Sequence, residues 1–287
     1  MKGFRFALAG LLVSNSAIIA QEIKFYKVVQ PIVEARLRSY TTRNKERLPA
    51  LRLIFEDAGC TGDALTEQRV KGVKAPNLIC TYKGESDSVI LIGAHFDLVE
   101  KGNGVADNWT GASLLPTLFQ SLNNSKMKHT FVFVAFTGEE MGLLGSKSYV
   151  KQMGEDLAKI KGMVNLDTLG LSDTKVWTTQ ADKKMLGLLG AVAKAMDLPI
   201  AAVNVDNAGS SDSESFRVRD VPALTLHSLT QETWKILHTD KVSLSELFGV
   251  DPSTIIAVLF KYGPTGGIHR RCPETGASSF PAHPTSP

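Results

Sequence analysis

The 287-residue chain has no apolar run long enough to cross a bilayer as a helix, which takes about 20 residues. It also lacks a strong bias of charge. Its 32 Lys and Arg stand against 29 Asp and Glu, for a net charge of +3, and no basic cluster stands out. A nucleic-acid surface needs a basic stripe, so that class of partner is excluded. No internal repeat is visible, and no linker rich in Gly, Pro or Ser divides the chain before its last residues. Cysteine is scarce, at three. What is there is an ordinary apolar content, 43%, on a chain long enough for one large domain with a sizeable core.

Lys2 and Arg5 precede an apolar run from Phe6 to Val13, and small and polar residues come next, up to Ala20. This layout is that of a secretory signal peptide, and residues 1–20 are assigned to one; the alternative is a buried N-terminal strand or helix. The assignment implies a secreted or periplasmic protein with no stable membrane span. Export exposes Cys60 and Cys80 to oxidising conditions, where a disulfide and two packed thiols are both open readings. Residues 263–287 are rich in Gly, Pro, Ser and Thr, cannot bury enough surface to order themselves, and are expected to be a disordered tail containing Cys272. Residues 21–262 are left as a single domain.

Within that domain, residues 21–58 carry Leu37, Leu48, Leu51, Leu53 and Ile54 at roughly helical spacing, with Pro49 marking a start or a break. Asn77–Tyr82, Ser88–Ala94, Thr130–Phe136, Gly162–Asp167 and Val221–Leu226 are short apolar runs that read as strands, several of them buried on both faces. Ser113–Leu122, Gly142–Gln152, Lys183–Met196 and Pro252–Tyr262 read as helices. Alternating strands and helices predict an α/β fold, a three-layer α/β/α arrangement with a mixed, largely parallel central sheet.

The chemistry gathers at strand ends. The second strand runs into His95, Phe96 and Asp97, at the carboxyl edge where open α/β sheets place their ligands. Asp97 falls on the same side of an extended chain as His95 and is a candidate partner for its second ring nitrogen. Asp107 and Asn108 lie in the Gly-containing segment GNGVADNWTGAS before a helix, where they serve either as a cap or, for Asp107, as a bridge between metals. The run Thr130–Phe136 ends in Thr137, Gly138, Glu139 and Glu140. Two adjacent carboxylates do not share one face of the chain, so one suits a metal and the other a base, unless both cap the next helix. Asp167 ends another buried strand, with a turn-forming role as its alternative. His238 in ILHTD is the last candidate, and His227, at the end of Val221–Leu226, is its rival.

In order and approximate spacing, the strings GAHFD, ADNWTGAS, FTGEEMGLLGS, NLDTLG and LHTDKVSL resemble the M28 family of zinc aminopeptidases, from about residue 77 to 262. The resemblance implies two zinc ions (Zn2+). His95 and Asp167 would hold one, Glu140 and His238 the other, and Asp107 would bridge them. Glu139 would be the general base, Asp97 would orient His95, and the Asp107–Asn108 peptide would be cis. The implied substrate is a peptide or small aminoacyl compound, cleaved at its N-terminal bond. The chain departs from the family where Ser-Asp-His is common: here Ser211, Asp212 and Ser213 stand instead, with Asp212 either shaping the pocket or simply in a loop. Glutaminyl-peptide cyclotransferases resemble the same motifs and are the alternative. Their late Trp directly precedes the His, whereas Trp234 lies four residues before His238.

Overall fold

The computed structural model describes residues 28–122, 125–205, 209–239 and 241–242, within one compact unit, Ile23–Pro264. The expected signal peptide (residues 1–20), the expected Pro252–Tyr262 helix and the expected tail (residues 263–287) lie outside the described residues. Six α-helices are described: α1 (Gln30–Arg38), α2 (Asn44–Asp57), α3 (Thr110–Ser121), α4 (Leu144–Met153), α5 (Lys183–Met196) and α6 (Ser213–Arg217). Eight strands accompany them: β1 (Leu65–Gln68), β2 (Asn77–Tyr82), β3 (Val89–His95), β4 (Thr130–Phe136), β5 (Ile160–Leu166), β6 (Lys175–Val176), β7 (Ala201–Ala202) and β8 (Ala223–His227).

The strands form one sheet in the order β1-β2-β4-β3-β5-β8-β6-β7. The four in the middle, β4, β3, β5 and β8, are parallel to one another, while β2 runs antiparallel to β4 and β6 antiparallel to β8. A parallel interior has both faces covered, which is why β3 (VILIGAH) is apolar and buried along its whole length. Its side chains alternate between two cores. Ile90, Ile92 and Ala94 meet Leu51 and Phe55 of α2, Leu115 and Leu118 of α3, and Met185, Leu189 and Val192 of α5. Val89 and Leu91 meet Tyr149 and Val150 of α4 and Phe216 of α6. The expected three-layer α/β/α arrangement with a mixed, largely parallel sheet is therefore observed.

Local differences have local causes. Pro49 does not break its helix but lies inside α2. The helix after Glu140 begins two residues later than its apolar pattern, because Gly142 and Leu143 both adopt positive φ (95° and 63°) in a turn that doubles the chain back from β4. Cys60, just past α2, and Cys80 on β2 are joined in a buried disulfide with a Cα separation of 6.3 Å.

Candidate metal centre

Because β3, β4, β5 and β8 are parallel, their carboxyl ends share one edge. His95 is the last residue of β3, Asp167 comes directly after β5, and Glu139 and Glu140 lie in the turn after β4. Four asparagine or aspartate side chains lock these ends together.

Asn77, buried at the start of β2, takes the N–H of Thr137 (3.0 Å) and donates to the carbonyl of Gly145 (3.0 Å), closing the Glu139–Glu140 turn from both sides. Gly145 packs so close there that a Cβ would lie 2.3 Å from Thr137 O. Asn108, fully buried, donates to Leu166 O (2.7 Å) and accepts from the N–H groups of Thr168 (3.0 Å) and Gly111 (3.1 Å). It fastens the start of α3 to the end of β5 and so fixes Asp107 relative to Asp167. Asn108 thus performs the capping, while Asp107, at φ −110° and ψ 95°, is outside helical geometry and free to face the site. The Asp107–Asn108 peptide is cis. Asp97 accepts the backbone N–H groups of Glu139 (3.1 Å) and Glu140 (3.2 Å). Asn44 completes the set, donating to Leu98 O (2.9 Å) and accepting from Leu98 N–H (3.0 Å).

Asp107 is the centre of the constellation. Its Oδ1 lies 3.1 Å from His95 Nε2 and its Oδ2 lies 2.9 Å from His238 Nε2. Each histidine has a second carboxylate beside it. Asp167 Oδ1 is 3.7 Å from His95 Nε2, and Glu140 Oε1 is 3.7 Å from His238 Nε2. Donor atoms of His95, Asp107 and Glu140 all lie within 4.8 Å of one another. Nitrogen and carboxylate oxygen donors at this spacing suit a divalent cation, and the buried Glu140 Oε1 has no hydrogen-bond partner, as a ligand oxygen requires.

One sequence expectation is corrected and one alternative is removed. At 3.7 Å, Asp97 Oδ1 is too far from His95 Nδ1 for a hydrogen bond, and Asp97 is spent instead on the backbone of the glutamate turn. The helix-capping alternative for the glutamates also fails, since α4 has no acidic residue in its first turn. The rivalry between histidines is resolved by hydrogen bonding. His227 Nδ1 accepts Leu229 N–H (3.1 Å), which leaves Nε2 as the donor to Val203 O (3.1 Å), so neither nitrogen is free for a metal. Burial lowers its pKa and keeps it neutral.

The charges are strongly perturbed. Burial opposes ionisation of Asp107, but hydrogen bonds from His238 and His95 hold it well below the usual carboxylate range. Burial opposes protonation of His95 too, yet Glu139 and the neighbouring carboxylates of Asp107, Asp167 and Asp97 raise it well above the ordinary value. Glu139 is pushed up to about 10, first by burial and then, against the pull of His95, by Asp212, Asp167 and Asp107. Glu140 is pushed up to about 7 by burial and by Asp107. Asp212, fully buried and with neither oxygen hydrogen-bonded, is pushed up to about 7, first by burial and further by Asp97 and Asp167 against the pull of His95. So many acids crowded around two histidines form a site short of positive charge.

An open cleft runs from these groups along Trp177, Leu229, Trp234 and Leu237, with Thr168 and Ser210 also on its wall. Thr168 is a β-branched residue at φ 54°, a rarely populated conformation held by Asn108 on its N–H and Ser228 on its carbonyl.

Histidine and carboxylate donors thus converge at the carboxyl edge of the sheet of an α/β protein, where they form a candidate site for a divalent cation. Residues 77–249 match the sequence profile of Peptidase family M28, and the chain belongs to that family. It is 31% identical over 159 residues to a leucine aminopeptidase 2 of Trichophyton rubrum, covering 51% of this chain and 32% of the relative. The chain therefore spans about a third of the length of the curated relatives it matches first. Its fold is similar to that of the LapA aminopeptidase of Legionella pneumophila, with TM-score 0.70, 20% identity, and coverage of 80% of this chain and 70% of that one. It is also similar to a glutaminyl cyclase of an Acidobacteriales bacterium, with TM-score 0.64, 16% identity, and coverage of 83% and 94%.

Proposed function

We propose that this chain is an exported zinc aminopeptidase, which removes the N-terminal residue of a peptide or small aminoacyl substrate. The observation that carries the reading is the division of Asp107 between His95 and His238, each with its own further carboxylate. That pattern provides two donor sets joined by one bridge. His95, Asp167 and Asp107 would hold one zinc, and His238, Glu140 and Asp107 the other. Bound zinc supplies a Lewis acid and a water whose pKa falls to about 7.

The protein's own part falls to the remaining groups. Glu139 is half-buried beside the donors but belongs to neither close pair, so its carboxylate is available to take the attacking water's proton at Oε and pass it to the leaving amine nitrogen. Asp97 holds the turn that aims Glu139. Trp177, Leu229, Trp234 and Leu237 give the cleft an apolar wall for the first side chain of the substrate. The buried Cys60–Cys80 disulfide supports an oxidising compartment, in keeping with the signal peptide expected at residues 1–20. Among the described residues, no helix is long and apolar enough to cross a membrane.

The test uses zinc-loaded protein and paired aminoacyl amides, one with a free and one with a blocked N-terminus. Release of the free amino acid from the unblocked member alone supports the proposal, and equal cleavage of both overturns it. The second reading, cyclisation of N-terminal glutamine, draws on the cyclase fold and on the edge contact of Trp234 with His238, whose ring centroids are 6.2 Å apart. Ammonia release with ring closure from glutaminyl peptides, without hydrolysis of the aminoacyl amides, would establish that reading instead.

A further inference from the structure

Arg47 is outside the donor sets, on α2, and it is completely buried. Its guanidinium makes four hydrogen bonds, all to backbone carbonyls. Nε donates to Thr41 O (2.9 Å), Nη1 to Phe96 O (3.0 Å), and Nη2 to Asn103 O (3.2 Å) and Gly104 O (2.7 Å). Its carbon centre lies 5.5 Å from the ring centre of Trp109, the residue two past Asp107. The carbonyls it gathers bracket the loop between β3 and α3. Phe96 lies between His95 and Asp97, and Gly104 lies three residues before Asp107. The same loop also touches the distant histidine segment. Asn103 donates to Val242 O (3.1 Å), and a Cβ on Gly102 would lie 3.2 Å from the backbone of His238 and Thr239.

One side chain thus stands behind three of the groups around the site. Arginine suits this place because its planar fork spans several acceptors at once, and a lysine ammonium does not. Burying a cation is costly unless it is paired. Asp107, Asp97 and Glu140 supply the opposing charge, while burial lowers the Arg47 pKa to about 10, which leaves it protonated at neutral pH. Gly104 makes the approach possible, since at φ 59° a Cβ there would lie 2.5 Å from Arg47 Nη2 and 2.7 Å from Leu98 Cβ.

We propose that Arg47 is a positioning residue of the metal centre, holding the Phe96–Gly104 loop in the conformation that presents Asp97, Asp107 and His238 together. The inference rests on the zinc reading above. It makes Arg47 a determinant of metal affinity, which is distinct from a general contribution to stability.

The experiment compares Arg47→Met, Arg47→Lys and Gly104→Ala with Leu51→Ala, a buried core truncation one turn further along the same helix that removes no contact to the loop carbonyls. Zinc affinity is read by chelator competition, ligand geometry by the visible spectrum of the cobalt(II)-substituted protein, and stability by urea unfolding of the metal-free forms. Both Arg47 variants and Gly104→Ala are expected to bind zinc roughly 10–100-fold more weakly, with an altered cobalt spectrum. Leu51→Ala should lose stability while keeping wild-type affinity and spectrum. Should Arg47→Met fail to fold, the lysine and Gly104 variants carry the same comparison. Wild-type affinity in the loop variants overturns the inference, as does an equal loss in Leu51→Ala. A wild-type chain that binds no zinc removes the zinc reading and this inference together. A chain whose zinc affinity depends on Arg47 but which cleaves no aminoacyl amide removes only the proposed activity.

Discussion

Asp97 Oδ1 accepts the backbone N–H of Glu139 at 3.1 Å, and its other oxygen takes the N–H of the next residue, Glu140, at 3.2 Å. One carboxylate therefore holds the turn carrying both the proposed base and a proposed ligand. Asparagine has a single acceptor oxygen, so Asp97→Asn leaves one of these N–H groups facing an amide donor. The variant should lose about 1–3 kcal/mol of local stabilisation. Its kcat on an aminoacyl amide is expected to fall about 10–100-fold. Steady-state kinetics alongside zinc content check this, and unchanged kcat would remove Asp97 from the role.

Glu139 and Glu140 are neighbours with different duties in this reading. Glu139→Gln should retain zinc and lose about 100- to 10,000-fold in kcat, since it removes the proton carrier and keeps its shape. Glu140→Gln should instead lose zinc. Metal analysis and turnover on the same preparations separate the two outcomes, and full activity of Glu139→Gln would eliminate it as the base.

The histidines are open to the same kind of comparison. His238→Ala takes away the partner of Asp107 Oδ2, so zinc content should drop by about one ion per chain. His227→Ala breaks two hydrogen bonds to backbone and should cost stability while leaving zinc in place. The reverse pattern in elemental analysis would return His227 to the donor set.

The metal-free protein should lose stability as pH rises from about 4.5 to 7. Glu139, Glu140 and Asp212 have folded pKa values raised above their unfolded ones. In that window the folded chain binds more protons than the unfolded chain, and its advantage falls as those protons leave. His95 and His238 are raised as well, so their contribution is full below the unfolded value and is also lost with rising pH. His227, held neutral, acts in the opposite direction but is a single group. Asp107, which is depressed, adds stability only above its unfolded value of 3.8 and loses it in stronger acid. Urea midpoints compared at about pH 5 and about pH 7.5 should therefore be higher at the lower pH, and zinc should close the gap. A higher midpoint at the upper pH without metal would contradict the charge balance described for the site.

Much of this was legible in the sequence for a simple reason. Strands buried on both faces, such as Val89–His95 and Thr130–Phe136, cannot hide their apolar character, and the residues directly after them lie at the sheet's edge. His95, Asp167 and the two glutamates could be located by that logic alone. Asp97 was placed on the right side of the chain, but periodicity does not distinguish an imidazole from a backbone N–H as its partner. The two-residue strands β6 and β7 left no pattern, because pairing with β8 and with each other defines them. Arg47 and Asn77 read as ordinary polar residues, since what they bind lies 49 and 60 positions further along. The family resemblance favours His238 over His227, and the hydrogen bonds on both nitrogens of His227 supply the physical reason that the residues alone do not.

The donors and the cleft wall differ in how they are anchored. His95 and Asp167 sit at the ends of strands whose register is fixed by neighbours on both sides. Leu229, Trp234 and Leu237 belong to the connection after β8, and lengthening a surface connection costs little in chain entropy. Descendants of this chain can therefore explore new side-chain preferences by remodelling that connection without moving the chemistry on the sheet. His238 is the exception, because it is carried by the same connection. Any insertion there must preserve its reach to Asp107, so that one contact limits how far the cleft can diversify.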